Sequence, residues 1–138
     1  MDHLPIFINI RKKPCIVIGG GDIALRKINL LLKAQAKVEC LSLLFSRDIK
    51  KISKDGQITL INKSFEDTDI KDYSIIIAAT DNSSVNSSIS SIAQVKKIPV
   101  NVVDSPELSS FIMPSIVDRS PLIIAVSSSG KAPVLSRI

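Results

Sequence analysis

Runs of apolar residues alternate with helically spaced apolar residues along most of the chain. The first run covers residues 14–18 and predicts a strand, and from Asp22 onward apolar side chains recur every three or four residues, which predicts a helix. A nearly continuous apolar run at 73–79 is typical of a parallel strand buried on both faces. The alternation continues through 37–43 (strand), 45–52 (helix), 57–62 (strand), 85–95 (helix) and 98–103 (strand).

This βαβαβ order predicts an α/β fold: a Rossmann-like, doubly wound and mostly parallel sheet that binds ligands at the carboxyl ends of its strands. Beyond Asp104 the pattern changes. Two strand-like runs, 111–117 and 121–126, predict a hairpin-like extension, followed by a small-residue loop and a helix that begins near Ala132. We therefore predict a Rossmann-like domain over 1–104 and a β extension over 105–138.

The turn between the first strand and the first helix carries a G-x-G-x-x-A motif. The pattern assigns Gly19 to the tight turn, Gly21 to close approach of a pyrophosphate and Ala24 to near contact of helix and sheet. The helix that follows offers unpaired N–H groups to an anion. The motif predicts a dinucleotide site, and the alternative is a glycine turn that serves only helix packing.

One part of the dinucleotide pattern is missing. An acidic residue that binds the ribose is expected about 20 residues after the turn, but Ser42, Leu43 and Leu44 occupy that place. The ribose hydroxyls would then meet backbone groups or Ser42, and Arg47 is compatible with a 2′-phosphate. The motif alone does not separate NAD from NADP.

Three aspartates follow predicted strands or open predicted helices. For Asp22 we favour a helix N-cap over a catalytic role, because a carboxylate accepts bonds from orphan N–H groups there. Asp81 follows a buried strand, where a cofactor contact and a cap for the next helix are equally compatible with the sequence. Asp104 ends another strand. The alternative to a functional role for this residue is an Asx turn before Pro106.

Composition narrows the ligand classes. The 138 residues suffice for one hydrophobic core, and a net charge of +5 favours anionic ligands. Only 4% of residues are aromatic and the basic residues are dispersed, which argues against nucleic acid. No signal peptide and no apolar run long enough for a membrane span are apparent, so we predict a cytoplasmic protein without membrane contact.

Few side chains offer metal or nucleophilic chemistry. Cys15 and Cys40 lie in apolar strands and are predicted to be buried, reduced thiols, without metal-ligand spacing. His3 is the sole histidine, so acid/base work falls to carboxylates, hydroxyls or the substrate itself. The serines at 127–129 lack a nucleophile elbow, which favours anion binding or a modifiable loop.

Several motifs together resemble one family, the N-terminal module of siroheme synthase, which is its precorrin-2 dehydrogenase and sirohydrochlorin ferrochelatase. The similarity covers essentially the whole chain. The motifs are MDHLPIF at 1–7, GGGDIA at 19–24 with Arg26 and Lys27, AATD at 78–81, NVVD at 101–104, the segment 110–121, and AVSS at 125–128.

The resemblance implies NAD-dependent oxidation of precorrin-2 to sirohydrochlorin, followed by insertion of ferrous iron to give siroheme, in a homodimer without a permanently bound metal. It assigns Asp104 to general-base work, with a transient role toward the metal, and Ser128 to phosphorylation. Together with the glycine motif it predicts these cofactor contacts: Gly19, Gly20, Gly21, Asp22, Ile23, Leu43, Leu44, Thr80 and Asp81.

The chain also departs from that family. Relatives continue beyond Ile138 with helices that complete a dimerisation region, so the extension at 105–138 would only begin that region. This favours, as the alternative function, a truncated and catalytically silent nucleotide-binding or assembly module.

Overall fold

The computed structural model describes residues 1–128, which fall into two compact units. The larger unit spans Ile8–Ser110, and the smaller combines Met1–Phe7 with the described residues from Phe111 to Ser128. The predicted boundary between 104 and 105 stays a prediction. The larger unit contains strands β1 (Pro14–Ile18), β2 (Lys37–Ser42), β3 (Ile58–Asn62), β4 (Ile75–Ala78) and β5 (Val100–Val102), and helices α1 (Asp22–Lys33), α2 (Arg47–Lys54) and α3 (Ser83–Val95).

The five strands form one parallel sheet in the order β3-β2-β1-β4-β5. The chain builds outward from β1 to β3 and then returns to the other side of β1, so the strand order reverses between β1 and β4. In doubly wound sheets, ligands bind at the carboxyl ends of the strands at this point of reversal. The predicted α/β fold is therefore confirmed.

The core lies in the central strands and the helix faces that cover them. All four residues of β4 are buried, as are four of the five in β1. On α1, Ala24, Ile28 and Leu31 are buried at helical spacing, as the sequence predicted. Cys15 and Cys40 are free and buried, and their burial raises the pKa of the thiols to about 11 and about 12.

Several element ends differ from the predicted ones. Helix α2 begins at Arg47 instead of residue 45, because the Ser46 hydroxyl accepts a hydrogen bond from the Ile49 N–H (3.3 Å) and caps the helix. Strand β5 keeps only Val100–Val102 of the predicted 98–103, since the backbone of Lys97 has a positive φ of 58° and Val103 already belongs to a turn.

The smaller unit contains an antiparallel hairpin of β6 (Ser115–Arg119) and β7 (Leu122–Val126), so two strands follow Asp104 as predicted, but the first begins at Ser115 instead of residue 111. The predicted helix from Ala132 lies outside the described residues. Within residues 1–128, no helix is both long enough and apolar enough to cross a bilayer.

Candidate dinucleotide site

The glycine turn that follows β1 is enclosed by neighbouring backbone on one side. Gly19 has a φ of 138°, and a Cβ placed there would lie 2.2 Å from the Ala79 carbonyl oxygen. Only glycine fits both the conformation and the space. Gly19 therefore occupies the tight turn between strand and helix.

Gly20 joins the turn to the loop after β2. A Cβ on Gly20 would lie 1.8 Å from the Leu44 carbonyl oxygen, and the Gly20 carbonyl accepts a hydrogen bond from the Ser46 N–H (2.8 Å). The motif gave this middle glycine no packing role, because the contact depends on residues more than 20 positions away. Gly20 thus fixes the position of the predicted cofactor residues Leu43 and Leu44 relative to the turn.

Gly21 differs from both, since a Cβ there would meet nothing within 4 Å. It is the N-cap of α1, with an ordinary extended backbone (φ −99°), and its carbonyl accepts the Leu25 N–H (3.0 Å). The predicted capping role of Asp22 is therefore wrong: Asp22 is already the first helical residue. No side chain caps α1, so its first N–H groups stay available to an anion.

The end of β2 is apolar and exposed. Leu43 and Leu44 are 63% and 82% exposed, and the Asn62 amide ties this end to β3 by donating to the carbonyls of Ser42 (3.0 Å) and Leu43 (2.8 Å). Beside them lies a cavity of about 290 Å³, lined by Leu43, Leu44, Phe45, Lys50, Leu60 and Asn62.

The loop after β4 is organised by asparagines. The Asn82 side chain caps α3 by accepting the Val85 N–H (3.0 Å), so the capping role considered for Asp81 is wrong. Thr80 donates its hydroxyl proton to the Asn86 amide oxygen (2.5 Å), and Asn86 donates to the Thr80 carbonyl (3.1 Å). Asp81 remains exposed at the carboxyl edge of the sheet.

Asp104 lies just past β5, exposed and with a positive φ of 61°. The turn is closed by the backbone, with the Ser105 N–H donating to the Val102 carbonyl (3.0 Å). The alternative of an Asx turn is wrong, because such a turn bonds the N–H two residues on and Pro106 has none.

Two serines hold this turn by covering the edge of β5. The Ser109 hydroxyl accepts the Val102 N–H (2.8 Å), and the Ser110 hydroxyl accepts the Val100 N–H (2.9 Å). These bonds satisfy donors that an edge strand otherwise leaves unpaired. Asp104 therefore projects from a fixed turn although its own side chain is exposed.

Lys27 is a residue to which the sequence alone assigned no role. It is half-buried on α1, and burial and the neighbouring Arg26 lower its pKa, whereas attraction to the Asp104 carboxylate acts in the opposite direction. The Lys27 ammonium group on α1 therefore interacts favourably with the Asp104 carboxylate after β5. The Arg26-Lys27 pair in the sequence was the available signal, but the fold was needed to relate it to Asp104.

Two other predicted features belong to the smaller unit. His3 belongs to the smaller unit, and so does Ser128, a half-buried residue two positions after β7. In the part of the chain that the structure describes, no three His, Cys, Asp or Glu side chains are grouped so as to hold a metal ion.

Parallel strands thus bring three loops of the larger unit to one edge: the glycine turn, the loop containing Leu43 and Leu44, and the loop containing Thr80 and Asp81. The turn containing Asp104 lies at the same edge, next to β4. Chemically, this edge combines free helix N–H groups for an anion with an exposed carboxylate and a half-buried ammonium.

Comparison with known proteins agrees with this geometry. The family described as putative NAD(P)-binding matches residues 6–115. Over its whole length the chain is 56% identical to a siroheme synthase of Ruthia magnifica and 49% identical to siroheme synthase 2 of Pectobacterium atrosepticum, covering 29% and 30% of those proteins. It spans about three tenths of the length of these relatives. The predicted resemblance to siroheme synthase is confirmed.

A solved structure, that of SirC, a precorrin-2 dehydrogenase, has the same fold. It superposes with a TM-score of 0.76 at 23% sequence identity, covering 97% of this chain and 66% of SirC.

Proposed function

Because this chain belongs to the putative NAD(P)-binding family and matches siroheme synthases over its whole length, we propose that it uses NAD to oxidise precorrin-2 to sirohydrochlorin. One observation carries the proposal. Gly21, with open space beside it, and Asp104 stand at the same edge of one parallel sheet, within one compact unit. A site for a dinucleotide and a group that accepts protons thereby face the same region.

The residues at the turn fit a dinucleotide. The space beside Gly21 and the uncapped N–H groups of α1 suit a pyrophosphate, with contacts from Asp22 and Ile23 in the first helical turn. Leu43 and Leu44 would contact the adenosine end, and Thr80 and Asp81 would line the path toward β4. When bound, NAD would supply a hydride acceptor.

Asp104 would act as the general base. Oxidation of precorrin-2 removes two hydrogens, one as hydride and one as a proton, so the protein must accept the proton. An exposed carboxylate on a turn held by Ser109 provides such an acceptor. Lys27 would attract that carboxylate through its positive charge, which makes it a positioning residue.

The same carboxylate would serve the second proposed step, insertion of ferrous iron to give siroheme. Entry of Fe²⁺ into sirohydrochlorin displaces two pyrrole protons, and Asp104 would accept them, with transient contact to the metal. A homodimer, a cytoplasmic location and phosphorylation of Ser128 belong to the same proposal and rest on the sequence resemblance.

The proposal is tested by incubating the purified protein with precorrin-2 and NAD under anaerobic conditions. NADH and sirohydrochlorin should appear in equal amounts, followed by absorbance, and added ferrous iron should then convert sirohydrochlorin to siroheme. Absence of NADH formation despite intact folding would contradict the dehydrogenase proposal.

The alternative function expected from the sequence is a catalytically silent nucleotide-binding or assembly module. NAD binding without turnover would support it. Oxidation without iron insertion would instead limit the proposal to its first step.

A further inference from the structure

The loop after β4, residues 79–82, lies between two parts of the proposed site. In the sheet, β4 has β1 on one side and β5 on the other, so this loop separates the glycine turn from the turn that carries Asp104. The adenosine end of the cofactor is assigned to Leu43 and Leu44, on the far side of β1. A dinucleotide whose pyrophosphate lies at Gly21 therefore extends its nicotinamide half toward the loop after β4.

One side chain of α3, that of Asn86, holds this loop by two hydrogen bonds to the same residue. Its Nδ2 donates to the Thr80 carbonyl (3.1 Å), and its Oδ1 accepts the Thr80 hydroxyl proton (2.5 Å). The order of the two amide atoms follows from the bonds, because an amide oxygen facing the carbonyl would repel it. Both residues are half-buried. Asn86 thus fixes the Thr80 backbone and its hydroxyl together.

The same bonds decide what the Thr80 hydroxyl can offer to a ligand. A hydroxyl has one proton and two lone pairs. The proton points to Asn86 at 2.5 Å, and one lone pair accepts the Asn82 N–H (3.2 Å). The Asn82 carbonyl competes for the same proton only over a longer distance, 3.1 Å. One lone pair remains, so the hydroxyl is left as a hydrogen-bond acceptor.

We infer that Asn86 is a positioning residue for the nicotinamide half of the cofactor: by holding the Thr80 proton, it leaves an acceptor for the N–H of the nicotinamide carboxamide. The inference rests on the proposed function, because it needs a dinucleotide on the glycine turn. A bond from the carboxamide to Thr80 would fix the rotation of the ring, and with it the carbon that takes up the hydride. Asn86 would act only through Thr80.

The experiment measures the binding of three nucleotides to the purified protein by titration calorimetry. They are NAD, its acetylpyridine analogue, which has a methyl group in place of the carboxamide NH2, and 5′-ADP, which lacks the nicotinamide half. The unsubstituted protein should bind NAD about fivefold more tightly than the analogue, the gain from one hydrogen bond. In Asn86→Asp this preference should fall below about twofold, because the new carboxylate repels the Thr80 carbonyl and releases the loop.

Asn82→Asp is the matched control. It places the same charge at the same end of α3 and keeps the helix cap, because a carboxylate also accepts the Val85 N–H. NAD and its analogue carry the same charge, so repulsion by the new carboxylate cancels in the ratio of their affinities. The control should retain the preference for NAD, and 5′-ADP should bind equally well to both variants.

Thr80 provides an independent pair of variants in case Asn86→Asp does not fold. Thr80→Ser keeps the hydroxyl and should keep the preference for NAD over the analogue. Thr80→Val has nearly the same shape without the hydroxyl and should lose the preference.

Several results would overturn the inference and leave the proposed function intact. They are no preference for NAD in the unsubstituted protein, a preference that survives in Thr80→Val, and an equal fall in Asn86→Asp and Asn82→Asp. An equal loss of affinity for all three nucleotides in Asn86→Asp would show that Asn86 only stabilises the fold, and would overturn it too. Binding of none of the three by the unsubstituted protein would overturn the inference together with the proposed function.

Discussion

The two ends of the candidate site are built by opposite means. At the glycine turn, backbone atoms of Ala79 and Leu44 fill the space beside Gly19 and Gly20, and the sequence there is restricted by packing. At the turn after β5, Asp104 is exposed, and the turn is held by a backbone bond from Ser105 to Val102 and by the Ser109 hydroxyl, which accepts the Val102 N–H of the edge strand. The glycine turn is therefore determined by the backbone atoms packed against it, whereas the turn after β5 leaves the Asp104 carboxylate accessible to solvent.

This difference separates residues that maintain the fold from residues that serve a ligand. A change at Gly19 or Gly20 must move neighbouring backbone, whereas a change at Gly21 or Asp104 meets no such obstacle. Loss of activity without loss of stability is therefore expected only for the second pair.

The largest effect is expected for Gly20→Ala. Its methyl group would overlap the Leu44 carbonyl, so the free energy of unfolding should fall by about 3 kcal/mol or more, measured by urea denaturation. Gly21→Ala is the matched control and should change it by less than about 1 kcal/mol. Equal destabilisation by the two substitutions would remove the distinction between the glycines.

Asp104→Asn should abolish catalysis while sparing the fold. Asparagine tolerates a positive φ, so the turn is kept, but the proton acceptor is lost. We expect the rate of NADH formation from precorrin-2 to fall by roughly 100-fold or more, with NAD affinity changed by less than about twofold. A variant that retains both proposed activities would show that Asp104 is not the base.

The Cys40 thiol, which contacts the glycine turn, should make the stability of the protein depend on pH. It donates to the Gly19 carbonyl (3.1 Å), and burial raises its pKa from 9.0 to about 12. Between these values the unfolded thiol loses its proton and the folded one keeps it. The unfolded chain then binds fewer protons, so stability should fall as pH rises above 9, by up to about 1.4 kcal/mol per pH unit for this group.

Cys40→Ala should weaken that pH dependence in denaturant titrations between pH 8 and 10.5. Cys15→Ala is the comparison, because the pKa of Cys15 is also raised, to about 11, but its thiol has no bond to the glycine turn. Both variants should flatten the profile, and only Cys40→Ala should also weaken NAD binding. An unchanged profile in Cys40→Ala would contradict the assigned burial.

The smallest effect is expected for Ser109→Ala, which removes the hydroxyl that accepts the Val102 N–H. Stability should fall by about 1 kcal/mol, and kcat should fall severalfold with KM for NAD unchanged, because the turn that carries Asp104 is loosened. Ser110→Ala removes the hydroxyl that accepts the Val100 N–H, and Val100 lies two residues farther from Asp104 along the chain than Val102 does. An equal fall in kcat for Ser110→Ala would show that Ser109 only stabilises the fold and does not position Asp104 specifically.

The sequence predicted most of the fold because the decisive signals were local. The apolar run of β1 and the spacing of Ala24, Ile28 and Leu31 are visible in neighbouring residues. The helix caps were harder, since Asp22 and Asp81 have suitable side chains, yet Gly21 and Asn82 have the backbone positions that a cap requires.

The site was predictable only where one segment defines it. Gly19 and Gly21 follow from the motif, whereas the role expected of Asp104 follows from the family resemblance and stays a prediction. The packing of Gly20 against Leu44, the bonds from Asn62 to the end of β2 and the interaction of Lys27 with Asp104 all join distant segments. Such pairings depend on strand order, which periodicity does not specify.

The most direct test of the account is NAD affinity in Gly21→Asp, measured by titration calorimetry beside the unsubstituted protein. Because the position is open and its backbone is ordinary, the variant should fold with nearly unchanged stability. The new carboxylate should crowd and repel the pyrophosphate, and NAD affinity should fall by roughly 100-fold or more. Unchanged affinity in a folded Gly21→Asp protein would show that the dinucleotide does not bind at this turn.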